Sequence, residues 1–187
     1  MKSYQKILFP IIVAMQVFVL IFMIARQEHL LATGAKVMLK CEPIDPRSLF
    51  SGDYVILNYE ISTIEPEIIE KSKLMYKLLK DNDNIEGRDI YVALRLKAAG
   101  RHYYAAAVSD NIDELKQDYE HIIRGKVSLS FRGMRVRYGV ESYFVPQGEG
   151  KEIEKNLSNV SVEVSISDKG DSAVSKLFID NNEVVFY

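Results

Sequence analysis

The chain has 187 residues, 24 basic and 26 acidic, for a net charge of −2, with one cysteine and no tryptophan. It is long enough for one domain plus an anchor, and its composition is that of a folded rather than a disordered chain. Charge alone excludes a basic nucleic-acid-binding protein, and the single Cys41 excludes an internal disulfide or a cysteine-rich zinc site.

The first element is the run ILFPIIVAMQVFVLIFMIA, residues 7–25, which carries no charge. As a helix its length is roughly 28 Å, close to the hydrocarbon thickness of a bilayer. Pro10 is placed near the start, where a helix tolerates it best. Lys2 and Lys6 precede the run, which puts residues 1–6 in the cytoplasm and the rest outside it. Residues 26–34 are then a juxtamembrane segment and 35–187 an extracytoplasmic domain. Without Lys2 and Lys6 the remaining chain carries −4. A cleaved signal peptide is the competing reading, but its apolar core would be shorter and a small-x-small site would follow. Here Arg26-Gln27-Glu28 follows.

From residue 35 the pattern alternates, as half-buried strands require. Strands are predicted at 35–42, 53–62, 89–98, 102–109, 122–131, 134–139 and 159–167, with two more in AVSKLFID and EVVFY at the end. Gly100-Arg101, Asp168–Asp171 and Asp180–Asn182 have hairpin chemistry. A helix is predicted over 66–80, with Ile68, Ile69, Met75, Tyr76 and Leu79 on one face and Pro66 at its start. Shorter helical turns are expected at 111–119 and 149–156. The fold class is mainly β, a sandwich or open barrel with one to three short helices, after one transmembrane helix. Cys41 reads as a small strand residue.

The corner CEPIDPRSLFSGDYVILNYEIS, residues 41–62, concentrates chemistry. Pro43 and Pro46 fix the backbone, and Asp45 and Asp53 can accept backbone hydrogen bonds. Arg47 offers a fork to either carboxylate. Gly52 suits a turn at positive φ. In the strand beyond it, Val55, Leu57, Tyr59 and Ile61 share one face, with large residues on the other too, so it is expected to be central or covered on both sides.

Gly52-Asp53-Tyr54-Val55-Ile56-Leu57-Asn58-Tyr59 matches the motif that names the GDYXXLXY family of bacterial membrane-anchored proteins, which this chain resembles. PIDPRSLFSGDY and EHLLATGAKVML are similar to that family too, as is the later stretch YGVESYFVPQGEGKEIE, with Gln147 where the family pattern has an acidic residue. The resemblance implies a single-span protein with an extracytoplasmic β-rich domain. Such proteins are often encoded beside multi-span membrane proteins. It implies no reaction.

Asp45, Arg47, Asp53, Tyr54, Tyr59, Tyr138, Glu141 and Tyr143 are therefore the candidate binding residues. The competing view makes the charged ones a stapled corner and the tyrosines core residues with tethered hydroxyls. His29, His102 and His121 have no metal-ligand spacing, so neither metal nor cofactor is expected. The expected function is a tethered binding or accessory subunit docked on a multi-span membrane protein, with no catalysis and no nucleic-acid partner. The alternative is a cell-envelope hydrolase resembling signal peptidases, using Ser48 with a base such as Lys97, or an acidic pair. The motif around Ser48 departs from that pattern.

Overall fold

A computed structural model describes residues 3–42, 54–72, 86–98, 100–130, 133–146 and 159–185. Helix α1, Ser3–Thr33, contains the whole apolar run and continues two turns beyond it. Pro10 is therefore two turns inside the helix instead of at its first turn, because the polar residues ahead of the run are helical as well. The large apolar side chains from Leu8 to Ile24 are between 41 and 70 % exposed, and they cover all sides of the helix. This helix is long and apolar enough to cross a membrane.

The end of α1 is closed tightly. Thr33 Oγ1 donates to His29 O at 2.8 Å, Gly34 N to Leu30 O at 2.9 Å, and Lys36 Nζ to Leu31 O at 2.6 Å. Carbonyls that a helix end leaves without partners are thus satisfied. Lys36 Nζ also reaches Ser165 Oγ, and Ser175 Oγ at 3.1 Å, so the same ammonium ties the helix end to the sheet. A Cβ at Gly34 would lie 2.6 Å from Leu30 O and 3.1 Å from the backbone of Ile166. Only glycine fits this junction.

Strand β1, Ala35–Lys40, follows at once. It pairs antiparallel with β8, Val160–Ile166, which pairs with β9, Ser172–Ile179, and β9 with β10, Asn182–Glu183. A second antiparallel sheet has the order β4, β3, β5, β6, from Tyr103–Ser109, Asp89–Leu96, His121–Ser130 and Gly133–Arg137. A bridge between Met38 and His102 brings the edge of β1 to β4, and Arg124 N donates to Gly170 O in the β8–β9 turn at 2.8 Å. Register shifts at Ala93/Leu94 and Glu163/Val164 add curvature. The result is a curled half-barrel around a core that includes Val37, Leu39, Val92, Ile123, Val162 and Leu177.

The predicted strand at 53–62 is shorter than its pattern. Strand β2 is Tyr54–Ile56, and a 3-10 turn occupies Glu60–Ser62. The alternation is real in burial, since Val55, Leu57, Tyr59 and Ile61 are all buried. The backbone nevertheless leaves the ladder after Ile56. Among the described residues β2 pairs only with β7, Ser142–Phe144, so it is not central there. Strand β3 is covered on both faces, with Val92 in the main core and Ala93 in a smaller cluster with Leu115 and Ile122, and β8 is buried on both faces too.

The predicted helix at 66–80 is present as α2, Pro66–Lys71, with Ser72 as C-cap. Its remainder lies outside the described residues, as does the turn expected at 149–156. α3, Ile112–Leu115, is capped by Asn111, whose Oδ1 accepts Asp113 N at 3.0 Å. The β9–β10 loop has positive φ at both Asp180 and Asn181, the geometry that twists a two-residue hairpin correctly.

Candidate functional site

The two signature stretches meet. Tyr54, Val55 and Ile56 pair with Phe144, Tyr143 and Ser142, so the GDYVILNY segment and the YGVESYF segment form one antiparallel ribbon. Leu57 N donates to Glu141 O at 2.7 Å and continues the contact past the strands. Two tyrosines then pin the ribbon inward. Tyr59 is fully buried and its hydroxyl donates to Val140 O at 2.5 Å. Tyr138 is buried too, and its hydroxyl donates to Ile61 O at 2.6 Å. Burial pushes both phenols well above their usual range, with the Glu141 charge acting in the same direction. Neither hydroxyl can act as an acid or base near neutral pH.

Glu141 has an equally local task. One carboxylate oxygen accepts Tyr138 N and the other accepts Gly139 N at 2.9 Å. Gly139 has a φ of +80°, a conformation that an L side chain resists. The carboxylate holds the turn that delivers β7 to β2. Tyr143 is half-buried in the ribbon, and burial, followed by the charge of Glu183, raises its phenol pKa.

A polar chain runs from the ribbon toward the corner. Arg135 donates to Asn58 Oδ1, and Asn58 Nδ2 donates to Glu42 Oε2 at 3.3 Å. Asp45, Arg47, Asp53, Ser48 and Gly52 lie outside the described residues, and Tyr54 enters only through its backbone pairing. Cys41 is buried beside Tyr59, and burial pushes its thiol up to about 12, which removes thiolate chemistry at neutral pH.

Three contacts had no local signal in the sequence. Glu60 pairs with Lys97 at 2.6 Å and Lys40 at 3.1 Å. Burial raises its pKa, but the hydrogen bonds from Lys97 and Lys40 outweigh that and hold the carboxyl below its usual range. The tip of the β3–β4 hairpin folds across the other sheet. His102 Nε2 lies 2.9 Å from Ser161 Oγ, Arg101 sits 5.5 Å over the Phe178 ring, and Arg101 also donates to Asn181 Oδ1. Burial, then the nearby Arg101 charge, lowers the His102 pKa, so the ring is neutral at pH 7. Ser161 is buried beneath this tip, so the Ser–His contact works as a latch.

The third contact lies where α1 meets the domain. Arg26 donates to one oxygen of Asp171 at 2.6 Å, and Arg124 to the other. Asp171 ends the β8–β9 turn and also receives a backbone constraint, its N–H donating to Ser167 Oγ at 3.0 Å. Among the described residues no cluster of His, Cys, Asp or Glu has metal-binding geometry.

No curated protein and no solved structure matches the chain. A family model described as "GDYXXLXY protein" matches residues 16–177, from within the apolar run to β9, and so takes in both strands of the ribbon and the junction with α1. The chain belongs to the GDYXXLXY family.

Proposed function

We propose that this protein is a membrane-tethered accessory subunit. In this reading α1 spans the bilayer with its amino terminus in the cytoplasm, the β domain stands outside, and the pair docks on a multi-span membrane protein. The observation that carries the reading is α1 itself: its apolar surface is exposed on every side, while its polar end is bonded to the domain. An apolar helix exposed all round requires lipid or other helices around it. A non-catalytic role is supported by the ribbon, where the Tyr59 and Tyr138 hydroxyls and the Glu141 carboxylate are committed to backbone groups. Lys97, the base that a Ser48 hydrolase would call on, is committed to Glu60.

The test uses the full chain with a reporter after Tyr187 that is active only outside the cytoplasm. Activity, retention through an alkaline wash and recovery of one multi-span protein by crosslinking in membranes are the expected results. Release as a shorter soluble form would identify a cleaved signal and overturn the anchor. Retention without a crosslinked multi-span protein would overturn the docking role.

A further inference from the structure

We infer that the base of the domain binds the phosphate of an anionic membrane lipid, in a groove formed by Arg124, Lys126 and Arg137. This inference rests on the anchored reading of α1. Arg26 is the first residue beyond the apolar run, and it shares Asp171 with Arg124. Arg124 is thereby held at the level where α1 leaves the hydrocarbon. A cavity of about 360 Å³ opens there, lined by Met23 and Leu30 of α1 on one side and by Arg124 and Tyr138 on the other. Met23 belongs to the apolar run and Arg26 does not, so the cavity straddles the boundary between acyl chains and headgroups.

A second groove, of about 540 Å³, continues from the same Arg124 and Tyr138 and is lined by Lys126, Arg137, Asp89 and Glu141. Lys126 and Arg137 are directly opposite each other on β5 and β6. Like charges in that relation repel, and the sheet is more stable without them. Neither side chain makes an ion pair or hydrogen bond with another described residue. Asp89 faces Lys126 from β3 without an ion pair, and the Glu141 carboxylate is committed to two backbone N–H groups. Because Asp171 is shared by Arg26 and Arg124, the two cavities together hold four cations, Arg26, Arg124, Lys126 and Arg137, against three carboxylates, Asp171, Asp89 and Glu141, a net +1 in a domain that is acidic as a whole. A phosphodiester, with one negative charge and oxygens for both an ammonium and a guanidinium, balances that excess and removes the repulsion. Its acyl chains would run toward the bilayer past Met23.

Full-length protein in detergent is mixed with phosphatidylglycerol, phosphatidylcholine or inorganic phosphate, and retained ligand is counted by native mass spectrometry. Phosphatidylglycerol should be retained as a single adduct in preference to phosphatidylcholine. The pair Lys126→Gln and Arg137→Gln should weaken retention roughly tenfold to thirtyfold, as expected for two cations near a membrane surface. Both positions are exposed, so thermal melting of the double variant should be unchanged or slightly higher. Asp89→Asn should strengthen retention. Equal retention of the two lipids, no change in the double variant, or displacement by equimolar inorganic phosphate would overturn the inference. So would photocrosslinking from position 126 to a protein instead of to lipid. Failure of the alkaline-wash test would remove the anchor itself, whereas a retained protein without the adduct would sink this inference alone.

Discussion

The ribbon of β2 and β7 and the base around Asp171 are both polar, and they are built on opposite terms. In the ribbon, the Tyr59 and Tyr138 hydroxyls reach backbone carbonyls in dry surroundings, and a carboxylate closes a turn over two backbone N–H groups. At the base, Arg26 and Arg124 reach a half-buried Asp171 from the water side, their own side chains 66 and 44 % exposed. Removing one partner from a buried hydrogen bond leaves the other unsatisfied; removing one from an exposed ion pair lets water take its place. The ribbon therefore determines whether the domain folds, and the base determines how the folded domain sits on its helix.

The comparison can be broken most readily at Tyr59. Tyr59→Ala removes a fully buried ring, so the melting curve of the domain should show a loss of about 3–5 kcal/mol. Tyr59→Phe and Tyr138→Phe keep the rings and remove only the hydroxyls, and each should cost about 1–3 kcal/mol for a buried carbonyl left unpaired. Wild-type stability in both Phe variants would mean that the tyrosines do not pin the ribbon.

An intermediate effect is expected at the hairpin latch. The pKa of His102 is lowered in the folded state, so the unfolded chain binds the proton more readily. Stability from the latch should be full above the unfolded imidazole pKa, about 6.5, and decline as pH falls through the lower folded value. His102→Gln should flatten that part of the stability–pH curve; an unchanged slope would exclude the latch as its source.

The smallest change in stability belongs to the base. Asp171→Asn should alter the melting free energy by about 0–1 kcal/mol. It should nevertheless broaden the spin-label distance distribution between α1 and β9, because the bond from Arg26 is weakened. A narrow, unshifted distribution would show that Lys36 and the Gly34 junction hold the helix unaided.

The parts of this fold that were legible in the sequence are those governed by neighbours along the chain. Alternation located β1, β3, β8 and β9, and the turn chemistry of Asp168–Asp171 and Asp180–Asn182 marked their hairpins. Strand β7 was missed because three residues carry no measurable period. The segment after Ile56 was read as strand because its burial still alternates, although a 3-10 turn carries Ile61 inward. Glu141, Tyr59 and Tyr138 stand out in the sequence as candidate binding residues, and in the structure each is bonded to backbone groups. Their tasks depend on the positive φ of Gly139 and on carbonyls some 80 positions away in the chain. The Arg26–Asp171 pair spans 145 positions, so no local pattern could have announced it.

The closed junction at Gly34 makes α1 and the β domain one object that turns together. In an α-helix each added residue rotates the rest of the chain by about 100° and lifts it by about 1.5 Å. One residue inserted between Ala25 and Arg26 would leave the bonds of Arg26, Gly34 and Lys36 in place, turn Met23 away from the domain, and aim the ribbon about a quarter-turn from its former bearing on the apolar run. Seven would return it close to the original bearing, roughly 10 Å farther along the helix axis. The helix thus sets an azimuth and a height, and anything packed on the apolar run would meet this domain from one fixed side.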